Sequence, residues 1–267
     1  NGSVLIEDCA HSFLEHAPLR LAGSRGDAAI YSFKKLVPCL AGGAVRLNDP
    51  QLEVPAPAHG PGPAETWRGA RELLIQALDS QGPGPGRRAW QGLRALRHRG
   101  QPPDAATAAP AVVTHFAYPF DPRLASAGMP RTARYVLERA ALAPLGLARR
   151  RHYAHVASRL RDHPRLRPVF PELPATVGPW AFPVRVTDRA GIDRRLRAAG
   201  VPLFTFGETL HDSLAESLQD EPALLASARE LSAGMLCLAV HQQLSDEAVG
   251  RYCDLVNWAD GSPAGQT

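Results

Sequence analysis

Residues 4–45 constrain the chain most, because short apolar runs in this stretch end on polar residues that can do chemistry. The run at residues 4–6 is followed by Glu7 and Asp8, and a second run, at 28–31, ends on Ser32. Runs of this length and composition predict short strands that end at the rim of a sheet. Because ligands of open α/β sheets bind beyond the carboxyl ends of the strands, these rim residues are candidates for one site.

Four side chains near these strand ends make up a chemical set: the carboxylate of Asp8, the imidazole of His11, the hydroxyl of Ser32 and the amine of Lys35. A carboxylate can hold a ring nitrogen protonated, because opposite charges favour the charged form of both partners. A lysine amine can form a Schiff base with a carbonyl. Pyridoxal phosphate (PLP) requires both, a lysine on its aldehyde and an acid on its pyridinium nitrogen. Ser32 is placed to donate to a phosphate oxygen.

Each of these residues also has an ordinary structural explanation. An aspartate at a strand end commonly faces solvent or caps a helix, and a lysine in a loop is commonly exposed. His11 alone fits a part-buried histidine, and Ser32 alone fits a turn. The glycine pair 42–43 fits either a sharp turn or a close approach of the backbone to a ligand. Only the combination of these residues therefore indicates a site.

The combination resembles the DegT/DnrJ/EryC1/StrS aminotransferases, which are sugar transaminases with the type I (aspartate aminotransferase) fold. The similar runs are EDCAHS, GDAAIYSFKK and GGAV. The resemblance is strong over residues 4–48, weaker over 114–256 and absent over 51–110. It implies an α/β fold, with the C-terminal half of a type I PLP-binding domain followed by a small α+β domain.

The resemblance also implies a role for each residue of the set. Asp8 would pair with the pyridine nitrogen, and His11 would lie beside the ring and its 3′-oxygen. Ser32 would hold the phosphate, and Lys35 would form the Schiff base with the cofactor. Lys35 is preferred over Lys34 because it keeps the family's usual distance to the glycine pair.

Two departures from the family pattern indicate a divergent branch. Only Phe33 and Lys34 separate the serine from the lysine, whereas many members of the family have a longer interval. Ala41 stands where an acidic residue usually precedes the glycine pair. The particular sugar substrates of the better-known members are therefore not carried over to this chain.

The activity that the resemblance implies is PLP-dependent transamination, with glutamate as donor and a keto-sugar, expected to be nucleotide-linked, as acceptor. This would be a step of sugar or polysaccharide biosynthesis in the cytoplasm, by a homodimer with no nucleic acid or membrane partner. Three alternatives stay open: a sugar dehydratase of the same fold, a non-catalytic binding or regulatory protein, and a structural or interaction fragment. The dehydratases replace the lysine with histidine, so Lys35 counts against the first.

Composition supports a globular protein and excludes other classes. The 267 residues are 45% hydrophobic and 21% charged, and no run approaches the roughly 18 apolar residues of a membrane span. A net charge of +4 comes mostly from arginine, which favours a solvated surface over nucleic-acid binding. The four scattered cysteines form no CxxC pair, which predicts reduced thiols.

Four segments are predicted. Residues 1–50 are the remainder of the PLP-binding domain, and 51–112 are a Pro/Gly/Ala/Arg-rich insertion and connector. Residues 113–258 form the small domain, and 259–267 a disordered tail. Residue 1 is an asparagine close to a strand expected to be central, so we expect the first half of the cofactor domain to be missing, and these residues to be inactive alone.

Periodicity and capping residues predict the remaining elements. Asp188 is expected to cap a helix that ends at Gly200, and Pro183 is expected to confine its strand to a sheet edge. The predicted helices are 66–80, 87–99, 131–142, 145–161, 190–199 and 248–256, with helix or loop over 210–233, and the predicted strands are 180–186, 201–206 and 235–241. His152 and His155 share one helix face but lack a third ligand, so no metal site is predicted. His241 ends the last strand, where it has either a structural role or an approach to the active site.

Overall fold

The computed structural model describes residues 3–12, 22–39, 41–79, 126–174, 177–208, 210 and 222–259. The strands in these residues are β1 (Ile6–Asp8), β2 (Ala28–Ser32), β3 (Gly43–Leu47), β4 (Arg167–Pro168), β5 (Ala181–Arg185), β6 (Leu203–Phe204) and β7 (Met235–Ala239). The α-helices are α1 (Pro63–Asp79), α2 (Arg131–Arg139), α3 (Leu142–Arg159), α4 (Arg189–Ala198), α5 (Pro222–Gly234) and α6 (Asp246–Ala259). The α/β fold class is as predicted.

The chain folds into two compact units. The first consists of Asn1–Ile6 and Asp27–Ala140, and the second of Glu7–Gly26 and Ala141–Thr267. Each unit contains chain from both sides of residue 112. The segment boundaries predicted from the sequence stay a prediction.

A three-stranded sheet in the order β1-β2-β3 anchors the first unit. Strands β2 and β3 are antiparallel, with Ala28 opposite Leu47 and Ser32 opposite Gly43. The Leu5 carbonyl accepts hydrogen bonds from the amides of Asp27 and Ala28 at 2.8 and 3.2 Å. The carboxyl end of β2 therefore lies beside the amino end of β3, which is where the chain turns.

The glycine pair makes this turn possible. Gly42 has a φ of 101°, which side chains disfavour. A Cβ on Gly43 would lie 2.6 Å from the carbonyl oxygen of Tyr31, so only glycine lets the two strands approach this closely. Between them, Phe33–Lys35 form a short 3₁₀ helix. Of the two alternatives that the sequence left open for residues 42–43, the structure shows the sharp turn.

The second unit contains a four-stranded sheet in the order β4-β5-β7-β6, in which each neighbouring pair is antiparallel. Helix α3 packs against β5 and α6, and α4 packs against β6, β7 and α6. One continuous apolar core joins these elements. Its fully buried members include Val156, Leu160, Phe182, Leu196, Leu236, Leu238 and Val249. Burial of this apolar surface is the main force that stabilises the unit.

The expectation that Pro183 confines its strand to an edge is wrong, because β5 lies between β4 and β7. A proline is tolerated here because β4 is only two residues long. The Pro183 carbonyl accepts a hydrogen bond from the Val169 amide at 3.0 Å, just past the end of β4. In an antiparallel pair the N and O of one residue point to the same neighbour. The missing N–H therefore faces the end of β4 and removes no bond to β7.

The predicted helix signals are confirmed at α4. The Asp188 side chain caps its first turn by accepting a hydrogen bond from the Gly191 amide at 2.9 Å. Gly200, with a φ of 81°, follows its last turn. At α6, the Ser245 hydroxyl accepts from the Ala248 amide at 3.1 Å. All four cysteines are free, as predicted, and all four are buried.

The other predicted helices and strands within the described residues are present, with ends that differ by a few residues. The predicted helix at 87–99, most of the connector beyond residue 79, the start of 210–233 and all but residue 259 of the tail lie outside the described residues. In the part of the chain that is described, no helix combines the length and apolar character needed to cross a membrane.

Candidate active site

Glu7 anchors the loop that leads into β2. Its carboxylate accepts hydrogen bonds from the backbone amides of Arg25 at 2.6 Å, Gly26 at 2.7 Å and Gly23 at 3.2 Å. The bonds from Gly26 and Arg25 are the main reason that the pKa of Glu7 is lowered. In the sequence this residue is only a polar strand end. The structure gives it a positioning role, because it fixes the chain before Ala28.

Asp8 and His11 follow in the same unit, the second. One carboxylate oxygen of Asp8, Oδ1, accepts a hydrogen bond from the Ala10 amide at 2.9 Å. The Ser12 amide donates to the Cys9 carbonyl at 3.0 Å, which closes a tight turn through Ala10 and His11. The turn fixes the backbone of both candidate residues directly after β1.

Ser32 and Lys35 lie in the first unit, at the end of β2 and of the 3₁₀ helix. The Ser32 hydroxyl does not cap this helix, since it makes no hydrogen bond to the helix amides. The Phe33 amide instead donates to the Gly42 carbonyl at 3.1 Å. Lys35 is exposed, as is Lys34. The structure thus places the hydroxyl and the amine on one short turn of chain.

His11 packs in an aromatic cluster, which we define as His11, Trp180, Phe204 and Phe206. The imidazole centroid lies 4.2 Å from the indole of Trp180 and 5.7 Å from the ring of Phe206. Trp180 in turn lies 4.7 Å from Phe204 and 5.8 Å from Phe206. All four residues belong to the second unit. The sequence does not indicate this contact, because its pattern predicts only the start of a strand at Trp180.

A buried arginine is hydrogen-bonded to the backbone of Trp180, a member of the cluster. Arg149 is only 3% exposed. Its guanidinium donates to the carbonyl of Trp180 at 3.2 Å, to that of Pro179 at 3.4 Å and to Oε1 of Gln242 at 2.6 Å. Burial lowers the pKa of Arg149 to about 10. Its spacing with Tyr153, Val156 and Leu160 on one helix face is the signal that could have identified it as a core residue.

Two histidines lie near this guanidinium. The Nε2 atom of His152 lies 3.2 Å from Oδ1 of Asp246. Within the described residues, the buried Nδ1 atom of His241 has no hydrogen-bond partner. Burial, and then the charges of Arg149 and His152, lower the pKa of His241 below its ordinary value. Among the described residues, no three potential ligands group together as a metal site.

A cleft of about 1150 Å³ opens elsewhere on the second unit. It runs along the C-terminal half of α3, and its wall includes Tyr153, Arg161, His163 and Arg167. None of the four predicted site residues lines it. Asp8 and His11 belong to the second unit, and Ser32 and Lys35 to the first.

Comparison with known proteins identifies the stretch that carries all four residues. Residues 1–58 match the DegT/DnrJ/EryC1/StrS aminotransferase family. The resemblance derived from the sequence is thereby confirmed. The match includes the EDCAHS run, the SFKK run and the glycine pair. No curated protein sequence matches the chain.

Solved structures of aminotransferases share the fold at low identity. A DegT DnrJ EryC1 StrS aminotransferase from Brucella abortus is 19% identical, with a TM-score of 0.54, over 97% of this chain and 58% of that one. The aminotransferase TlmJ from Streptoalloteichus hindustanus is 24% identical, with a TM-score of 0.56, over 97% of this chain and 59% of that one. PseC from Helicobacter pylori, an aminotransferase involved in the biosynthesis of pseudoaminic acid, is 15% identical, with a TM-score of 0.54, over 96% and 59%. The chain thus spans 58% to 59% of the length of these three relatives.

Proposed function

We propose that the protein is a PLP-dependent aminotransferase that acts on a sugar. One observation carries the proposal: the family match over residues 1–58 covers the stretch that contains Asp8, His11, Ser32 and Lys35, the four residues to which the sequence resemblance gives cofactor roles. The shared fold of the solved aminotransferases supports it.

The chemistry of this donor set fits PLP. Asp8 has a second carboxylate oxygen beside the one that accepts from Ala10, and a carboxylate is the partner that a pyridinium nitrogen requires. The Ser32 hydroxyl is not used to cap the 3₁₀ helix, so it is available to a phosphate oxygen. Lys35 ends that helix in an exposed position. A carboxylate, a hydroxyl and a primary amine match the ring, the phosphate and the aldehyde of the cofactor.

Each residue then has a distinct role. When bound, PLP supplies a protonated ring that withdraws electrons from the substrate carbon. Asp8 keeps the ring nitrogen protonated, and His11 orients the ring from the side. Ser32 donates to the phosphate and thereby fixes the position of the cofactor. The Lys35 amine would hold the aldehyde of the cofactor, and its Nζ would accept and return a proton.

For the substrates we propose glutamate as the amino donor and a keto-sugar, expected to be nucleotide-linked, as the acceptor. The complete enzyme would be a cytoplasmic homodimer, because type I enzymes complete their sites across a dimer. These finer assignments rest on the family resemblance. A purified full-length protein that consumes glutamate only in the presence of a keto-sugar would support both substrates.

Substitution of the two lysines tests the catalytic assignment. We expect Lys35→Ala, made in the protein at its full natural length, to abolish both turnover and the visible absorbance of the bound cofactor. Lys34→Ala is the matched control, since it removes the neighbouring amine and should keep both. Asp8→Ala should abolish turnover while the covalent bond to Lys35 still forms. A fully active Lys35→Ala protein would refute the assignment.

The same experiment distinguishes the main alternative. A binding or regulatory protein that has kept the fold would show no visible absorbance with PLP in either lysine variant or in the unmodified protein. The short interval between Ser32 and Lys35 and the alanine at position 41 are the features that favour this alternative.

A further inference from the structure

In the aromatic cluster, Trp180 is the central ring and Phe206 is exposed to solvent. Trp180 makes ring contacts with three of the cluster's side chains, those of His11, Phe204 and Phe206. Phe206 is 50% exposed, whereas the backbone of Trp180 is bonded to the buried guanidinium of Arg149. The backbone of Trp180 is therefore held in place, and the imidazole of His11 contacts its indole.

This arrangement limits how the imidazole can turn. The imidazole makes a tilted contact with Trp180, at 4.2 Å and 53° between the planes, and an edge contact with Phe206, at 76°. Aromatic pairs prefer such offset and edge-to-face geometries, and each pair contributes stability beyond the area that it buries. A histidine on a tight turn after a strand would otherwise rotate about its side-chain bonds.

We propose that Trp180 is a positioning residue that fixes the imidazole of His11 for binding of the cofactor ring. This inference rests on the proposed function, because it takes His11 as the residue beside the ring. Trp180 acts through His11 and makes no contact with the reacting atoms. The ligand whose binding is favoured is the planar pyridine ring of the cofactor, because an imidazole that is already fixed loses less freedom on binding such a ring.

The first test measures the contact and needs no cofactor. In protein labelled with ¹³C-histidine, the His11 Cε1–H resonance, assigned with a His11→Gln variant, should be displaced by the ring current of the indole. We expect Trp180→Leu to abolish this displacement and Trp180→Phe to retain much of it. Trp258→Leu, which changes an exposed tryptophan on α6, should leave the resonance unchanged. An unchanged resonance in Trp180→Leu would overturn the contact.

The second test measures cofactor affinity in the protein at its full natural length, by absorbance titration with PLP. Loss of one aromatic contact should weaken binding about tenfold in Trp180→Leu. Trp180→Phe, which keeps an aromatic ring, should bind within about twofold of the unmodified protein, and so should Trp258→Leu. Circular dichroism should show that each variant is folded. If Trp180→Leu fails to fold, the comparison between Trp180→Phe and the unmodified protein in the resonance and in the affinity decides the outcome.

A double-mutant cycle separates positioning from general structure. If Trp180 acts through His11, Trp180→Leu should have little further effect on PLP affinity in a His11→Gln background. Equal losses in both backgrounds would overturn the inference. Trapping of PLP on Lys35 with unchanged affinity in Trp180→Leu would overturn the inference alone and leave the proposed function standing. A protein that traps no PLP at all would overturn both.

Discussion

Strand β7 in the sheet of the second unit is buried on both faces, whereas the sheet of the first unit leaves one face open. Successive residues of β7, from Leu236 to Ala239, are buried, which requires cover on both sides of the sheet. In β2 and β3, the paired residues Ile30 and Val45 are 42% and 49% exposed. Side-chain packing therefore specifies the second sheet, and backbone pairing with glycine geometry specifies the first.

This difference separates residues that hold the fold from residues that we propose to bind the cofactor. The core of the second unit contains no member of the predicted donor set. Ser32 and Lys35 come from the more open sheet and its turn, Asp8 from the end of β1, and His11 from the turn that follows β1. Substitutions in the two sheets should therefore change the free energy of unfolding by different amounts, and denaturation experiments can test this difference.

The largest effect on stability is expected in the second sheet. Leu238 is fully buried in β7, so Leu238→Ala should lower the free energy of unfolding by about 2–5 kcal/mol, because it leaves a cavity. Leu47→Ala, in β3, is the matched control at a residue that is 40% exposed, and should cost less than about 1 kcal/mol. Urea denaturation measures both. Equal losses would show that the two sheets do not differ in this way.

A second substitution tests whether backbone geometry holds the first sheet. Gly43→Ala would place a Cβ 2.6 Å from the Tyr31 carbonyl oxygen, and should cost about 1–3 kcal/mol, because the strands must separate. A Cβ on Gly60 would have no atom within 4 Å, so Gly60→Ala should be nearly neutral. The same denaturation experiment applies. A tolerated Gly43→Ala would mean that the β2–β3 pairing is more adaptable than the structure indicates.

The smallest effect is a pH dependence at the end of the second sheet. The pKa of His241 is lowered from 6.5, so the folded state binds this proton more weakly than the unfolded state does. The stabilisation is present in full above pH 6.5 and is lost as the pH falls through the lower pKa of the folded state. The lowered pKa of Glu7, with an ordinary value of 4.5, and that of Asp246, with 3.8, contribute only at more acidic pH.

Thermal unfolding between pH 6.5 and 4.5 measures the contribution of His241 to the pH dependence of stability. His241→Gln should reduce the fall of the melting temperature in this range, because it removes a group that the folded state must keep neutral. His155→Gln is the control, a histidine of α3 that is only partly buried. If His155→Gln flattened the profile as much as His241→Gln does, the assignment to His241 would be wrong.

The sequence predicted local features well, because their causes are local. The runs that became β2 and β7, the Asp188 cap and the turn at Gly42 follow from neighbouring residues alone. The position of Pro183 was predicted wrongly, since the number and length of a strand's partners are set by distant chain. The burial of Arg149 and the contact between His11 and Trp180 also depend on tertiary packing.

The candidate site residues are indicated by their combination in the sequence, and hydrophobic periodicity does not indicate them. Asp8, His11, Ser32 and Lys35 each have an ordinary structural explanation, and only their order and spacing resemble a family. Residues that support a site from a distance, such as Trp180, carry no such pattern. The supporting residues therefore required the structure.

The most direct test of the central claim is borohydride trapping of PLP in the full-length protein, followed by mass mapping of its peptides. Reduction fixes a Schiff base as a stable pyridoxyl amine, so the labelled peptide identifies the lysine. If Lys35 is the Schiff-base lysine, the reduced protein will carry a pyridoxyl group on Lys35. A label on Lys34 would keep the activity but shift the assignment by one residue. A folded protein with no label on either lysine would contradict the proposed function.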